Sequence, residues 1–161
     1  MIVVADAGPL NYLVLIEEVD VLKPLYTRIL VPEKIVEELK QAGTPSAVPA
    51  WIAQPPDWLE VRPDPPCDPG LAFLDAGESA AIALAVSLQA ERLLIDDWDG
   101  RAEAVRRQLL VTGTLGVLAK AHQHGLLDFE KALTRLSRTN FYLSTELVDL
   151  MRRRLFHDPF I

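Results

Sequence analysis

The sequence predicts a three-layer α/β fold, and three observations carry that prediction. Four short apolar runs, at residues 2–5, 28–31, 92–95 and 109–111, are too short for helices and read as buried strands. Helix-like stretches separate them, which calls for parallel strands joined by crossovers and covered on both faces. Half of the 161 residues are hydrophobic at a mean hydropathy of +0.15, enough apolar material for a proper core.

The elements follow in order. Residues 2–5 open as a strand. Ala7-Gly8-Pro9 reads as a turn before a helix over 10–16, and a second helix over 19–26 is disturbed by Pro24. Strand 28–31 leads to Pro32, which suits the first turn of a helix running to about Gln41, with Gly43 as its stop. Eight of the twelve prolines fall between Pro45 and Pro69. Proline blocks helix interiors and ladder hydrogen bonds, so 45–69 is expected as a long, mostly irregular connection with short pieces around 50–54 and 58–61. Trp51, Trp58 and Leu59 need somewhere to pack, so this stretch is no domain linker. A strongly apolar helix over 77–89, strand 92–95, a helix over 100–108 and strand 109–111 follow. A helix over 114–123 ends at Gly125, and C-terminal helices over 129–138 and 144–155 complete one domain spanning 1–161.

Composition excludes several function classes. The net charge of −7 argues against holding nucleic acid by bulk charge alone, though not against a nuclease whose charge is local and metal-compensated. The acidity is uneven: residues 1–90 carry a net −8 and residues 91–161 a net +1. Cys67 is the only cysteine, so neither an intrachain disulfide nor a cysteine-based zinc cluster forms. The N-terminus lacks a basic segment and a long apolar run, and no stretch has membrane-spanning length; a cytoplasmic location away from membranes is expected. The chain has no G-x-G-x-x-G, Walker A or G-x-S-x-G sequence.

Open parallel sheets bind ligands outside the carboxyl ends of their strands. Asp6 follows the first strand. Asp96, Asp97 and Asp99 follow strand 92–95, and Thr112-Gly113-Thr114 follows strand 109–111. On the helix after Pro32, the helical period places Glu38 beside the buried stripe of Ile35, Val36 and Leu39, while Glu37 points away. Glu78 shares a face with Ala81, Ile82 and Ala85 on a helix with almost no polar side, where an unpartnered carboxylate is costly. Each acid also has a structural reading. Asp6 and the Asp96–Asp99 group could cap helices, Glu37 and Glu38 could be solvated, and Asp75-Ala76-Gly77-Glu78 matches a capping box. The Thr-Gly-Thr turn could cap its helix or orient a water or phosphate. Taken jointly, four segments deliver acids to one sheet edge. Their repulsion calls for a cation, and an all-oxygen donor set favours Mg²⁺ or Mn²⁺.

These residues resemble the PIN-domain proteins, specifically the compact prokaryotic VapC-like branch. Val3-Val4-Ala5-Asp6-Ala7-Gly8-Pro9-Leu10 is similar to that branch's first strand and leading aspartate. Val31-Pro32-Glu33-Lys34-Ile35-Val36-Glu37-Glu38-Leu39 resembles its second motif, with the acid at Glu38. Gly77-Glu78-Ser79-Ala80-Ala81-Ile82 resembles the third, Leu94-Ile95-Asp96-Asp97-Trp98-Asp99-Gly100-Arg101 the fourth, and Val111-Thr112-Gly113-Thr114-Leu115-Gly116 the closing strand-turn-helix. The resemblance implies four or five mainly parallel strands between helices, an acidic pocket holding one or two Mg²⁺ or Mn²⁺ ions, and cleavage of single-stranded RNA. It also implies a homodimer, and for many members a toxin restrained by a cognate antitoxin.

The mechanism expected from that pocket uses Asp6, Glu38, Glu78, Asp96 and Asp97, with Asp99 as a lower-ranked metal ligand. Thr112 or Thr114 would steady a water or phosphate oxygen. Arg101, Arg106 and Arg107 would guide the RNA, while the Arg152-Arg153-Arg154 run reads as a solvated helix face. Trp98 reads as a packing residue, with stacking on a base as the alternative. Two competing classes are a non-catalytic PIN-fold binding or assembly module, and a small-molecule phosphohydrolase with Asp6 as nucleophile. The second is weakened because Gly8 stands where such enzymes commonly carry another aspartate. Without Asp6, Glu38, Glu78, Asp96, Asp97 and Asp99 the net charge would be −1, so most of the acidity is expected to be one concentrated site.

Overall fold

The computed structural model describes residues 1–157. Five strands form one parallel sheet in the order β3-β2-β1-β4-β5. They are β1 (Val3–Ala5), β2 (Ile29–Pro32), β3 (Leu59–Arg62), β4 (Arg92–Leu94) and β5 (Val111–Thr112). The central strand β1 is wholly buried, and Val4 stands beside Leu30 on one side and Leu93 on the other. Helices flank the sheet in three layers: α1 (Ala7–Leu15), α2 (Leu22–Tyr26), α3 (Glu33–Leu39), α4 (Ala47–Ala53), α5 (Ala76–Ser87), α6 (Trp98–Arg106), α7 (Thr114–Gln123), α8 (Phe129–Leu136) and α9 (Thr145–His157). Apolar residues from β1 to β4 join one buried cluster, and the partly buried Val111 of β5 packs against it. Among the described residues no helix is long and apolar enough to cross a membrane.

The proline-rich stretch is more ordered than the sequence led us to expect. It supplies both α4 and β3. Pro49 falls in the first turn of α4, where its missing N–H would have had no intrahelical partner. Strand β3 pairs with β2 alone, and an edge strand tolerates the flanking Pro63. Val48, Ile52, Trp58 and Leu59 are buried, with the Trp51 and Trp58 rings 6.2 Å apart, so this segment closes one side of the core. The same logic moves the start of α1. Pro9 stands in its first turn, so the helix begins at Ala7 without a preceding turn. Pro24 likewise falls in the first turn of α2, and a short 3-10 turn at Val19–Val21 precedes it.

The strand order fixes where a ligand can sit. After β1 the chain adds β2 and β3 on one side of the sheet, then returns to add β4 and β5 on the other. Connections therefore leave β1 and β4 in opposite directions, and a crevice opens between their carboxyl ends. The Asp6 N–H donates to the Leu94 carbonyl at 2.8 Å, bringing the ends of the two strands together.

Candidate functional site

Asp6 leaves the carboxyl end of β1 into that crevice. It occupies the N-cap position of α1, yet its side chain makes no capping bond. The residue is 6% exposed, and its Oδ1 has no hydrogen-bond partner. Capping therefore does not account for this aspartate. Burial pushes its carboxyl well above the usual carboxylate range; the Ala7 N–H opposes the rise, and the charges of Glu38, Glu78 and Asp75 add to it.

A cavity of about 340 Å³ opens over Asp6 and is lined by Glu38, Asp75, Glu78, Asp96 and Asp97 as well. Glu38 arrives from α3, half-buried, whereas Glu37 is exposed, as the helical period predicts. Helix α3 packs on α5, and Gly77 makes the close approach possible: a Cβ there would stand 3.0 Å from Glu38 Oε2. Burial raises the Glu38 carboxyl, with Asp75 adding to it. Glu78 is pushed up to about 7, first by burial and then by Asp75 and Asp97. The capping box also forms, since Asp75 Oδ1 accepts from the Glu78 N–H at 2.8 Å. Its two acids thus both cap α5 and line the cavity.

Asp96 leaves the end of β4 and is held from the far side. Its Oδ1 accepts from the Thr114 N–H at 2.7 Å, and its Oδ2 from the Thr114 hydroxyl at 2.6 Å. Burial raises this carboxyl, while the Thr114 bonds and Arg101 oppose the rise. Gly113 keeps the junction open, because a Cβ there would lie 2.6 Å from Arg101 Nη1 and 2.8 Å from Asp96 Oδ1. Arg101 donates to the Ile95 carbonyl at 3.0 Å. Asp97 caps α6 through Gly100 N–H at 2.8 Å and still lines the cavity.

Other anticipated residues stand elsewhere. Asp99 is exposed in the first turn of α6 and does not line the cavity. The Thr112 hydroxyl accepts from Arg92 rather than facing the acids. Arg106 and Arg107 lie at the opposite end of α6, about 14 Å along its axis. Both are bound to Glu103, and Arg107 also reaches Asp68 at 2.7 Å. Arg152 pairs with Glu130 and Asp149. Trp98 is not packed: it is 82% exposed. Sequence reasoning missed Asn11, Tyr12, Gln41 and Thr44 in the lining. The signal available for Asn11 and Tyr12 was their place on α1, one to two turns beyond Asp6.

Among the described residues, no three Asp, Glu, His or Cys side chains are gathered tightly enough to grip one ion by themselves. The unpartnered Asp6 oxygen and the all-oxygen donor set instead fit a hard divalent cation that keeps several waters, as Mg²⁺ does, with one or two carboxylates bound directly.

Comparisons with known proteins bear on the fold and the family. No curated protein matches the chain. Among solved structures, it is similar to the PilT N-terminus domain protein SSO1118 from the hyperthermophilic archaeon Sulfolobus solfataricus P2. The two share 15% identity at a TM-score of 0.52, over 89% of this chain and 100% of that one, a likeness of fold alone. A family model described as "DUF3368: PIN domain" matches residues 2–156, nearly the full length of the sheet and helices described above. By that match the chain belongs to the PIN-domain family.

Proposed function

We propose that the chain is an endoribonuclease that cleaves single-stranded RNA with the help of Mg²⁺ or Mn²⁺ at the acidic crevice. PIN domains are usually nucleases. The observation that carries the finer reading is Asp6: a buried carboxylate with an unpartnered oxygen, facing a cavity lined by acids from separate segments. Such a group is costly unless a cation completes it.

Asp6, Glu38, Glu78 and Asp96 would hold the ion directly or through water. When bound, it supplies positive charge against the phosphodiester and an acidified water. Thr114 keeps both oxygens of Asp96 turned to a fixed position. Glu78 is raised by burial and by Asp75 and Asp97 while no cation of the described residues faces it, and a bound ion would draw it to the charged form that ligates. Asp97 and Asp75 add negative charge while anchoring α6 and α5. Among the arginines considered for RNA, Arg101 lies nearest the crevice, behind Asp96 and bound to the Ile95 carbonyl, and is the one assigned to the strand there.

The test is cleavage of a pool of single-stranded RNAs in Mn²⁺ by wild type and Asp6→Asn. Loss of cleavage in the variant supports the assignment, and equal cleavage overturns it. The proposal extends to a cytoplasmic homodimer acting as a toxin. A short reading frame with a DNA-binding pattern directly upstream would supply the cognate antitoxin. One observation favours a second reading, a non-catalytic module: among the described residues no three acids converge closely. That reading predicts neither RNA cleavage nor Mn²⁺ uptake by the wild type.

A further inference from the structure

A second, larger cavity of about 620 Å³ adjoins the acidic one. The two share Asn11 and Tyr12, so one groove runs from the carboxylates across α1 toward the loop after α8. The sign of the charge changes along it. Beyond Tyr12 the lining includes Arg135 and Arg138, with Glu17 as its one acid. Arg135 is committed: it donates to Glu18 Oε1 at 3.0 Å and to the Ile16 carbonyl at 3.2 Å. Arg138 is exposed, and its guanidinium has no hydrogen-bond or ion-pair partner among the described residues. It lines the cavity that adjoins the acidic one.

Tyr12, which lines both cavities, is tied to the segment after α8. The Tyr12 hydroxyl donates to Asn140 Oδ1 at 2.9 Å, and its ring meets Phe141 edge-on at 4.9 Å. These two contacts tie α1 to the segment after α8 and hold the arginine-bearing side at a fixed distance from Asp6. The volume lies within the roughly 300–1,000 Å³ typical of small-ligand sites.

We propose that this second cavity binds a nucleotide of the RNA strand next to the cleaved linkage, with the Arg138 guanidinium on its phosphate and the Asn11 amide at the crossing between the two cavities. The inference rests on the ribonuclease reading and gives it a polarity: cation-seeking acids at one end of the groove, a phosphate-seeking arginine at the other. Such a division lets an acidic protein hold RNA without a broad basic surface, because the positive charge is needed at only one flanking phosphate.

The test is equilibrium binding of a fluorescein-labelled oligouridine, followed by anisotropy against salt in chelator so that no cleavage occurs. Arg138→Ala should weaken binding about tenfold. It should also lower the slope of log K against log salt by about 0.7, the value of one lost phosphate contact on a single strand. Arg138→Lys should restore most of the slope, an outcome that a purely structural role would not produce. Unchanged affinity and slope in Arg138→Ala overturns the proposal, as does failure of the wild type to bind the probe. Cleavage separates the two readings. A wild type that binds through Arg138 but never cleaves refutes the nuclease and keeps the cavity. One that cleaves with Arg138→Ala indistinguishable in binding refutes the cavity and keeps the nuclease.

Discussion

Two acid clusters sit at opposite ends of α6, and they are opposites in chemistry. At its N-terminal end, Asp6, Glu38, Glu78 and Asp96 are raised by burial and lack a matching set of cations. At its C-terminal end, Arg106 and then Arg107 hold Glu103 down to about 2, and Arg107 with the Gly70 N–H lowers Asp68. In sequence the two clusters look alike, since each is a handful of acids near arginines. In the fold, one is complete and the other is not. The completed cluster pins the proline-rich segment to α6, because Asp68 lies in one and Arg107 follows the other. The incomplete one leaves an Asp6 oxygen without a partner. Shared composition is therefore a poor guide to role; what separates the clusters is whether each charge already has a partner.

The largest expected contrast comes from neutralising one member of each. Asp6→Asn should reduce RNA cleavage at least about a hundredfold while raising the melting temperature of the metal-free protein, because an unpaired buried charge is removed. Glu103→Gln should do the reverse, lowering the melting temperature and leaving cleavage intact. Thermal melts in chelator and a cleavage assay check both, and a stability loss in Asp6→Asn would break the comparison. Next is Gly113→Ala. Its Cβ would intrude on Arg101 and Asp96, so activity should fall about 10- to 100-fold with the fold retained. Activity at the wild-type level would mean that the seating of Asp96 is unimportant.

The smallest effect is on pH dependence. A carboxyl raised by folding binds its proton more tightly in the folded state. The contribution of Glu78 is thus full below about pH 4.5 and is lost as pH rises through about 7. The melting temperature of chelated protein should fall across that window, and Glu78→Gln should flatten the fall. Glu103 works at the other end: its contribution is present above its ordinary value of 4.5 and is lost as pH drops toward 2. A melting temperature that rises between pH 5 and 7 would contradict the assignment of Glu78.

The sequence made much of this legible. Short apolar runs betrayed β1, β2 and β4 because strands buried on both faces need no alternation, whereas the run at 109–111 overlaps the half-exposed β5 only at Val111. The rule that ligands gather at strand carboxyl ends found Asp6, Asp96 and Asp97, and the helical period separated Glu38 from Glu37. Strand β3 shows in the sequence only as a short piece around 58–61, because proline density reads as irregularity, while an edge strand and a helix's first turn both tolerate proline. Arg106 and Arg107 were misplaced because charge along a chain does not disclose its partner: Asp68 lies 39 residues away from Arg107. Trp98 was expected to pack because aromatic rings usually do, yet its place just after the capping Asp97 turns it out to solvent. Asn11, Tyr12 and Arg138 carry no motif; only the approach of α1 to the segment after α8 brings them together.

The unpartnered carboxylate at Asp6 either marks a cation site or does not. Anomalous diffraction from crystals soaked in Mn²⁺, on wild type and Asp6→Asn, measures that directly. The prediction is a peak among Asp6, Glu38, Glu78 and Asp96 in the wild type, gone or much weakened in the variant. An empty crevice in the wild type, or the same peak in both, would contradict it.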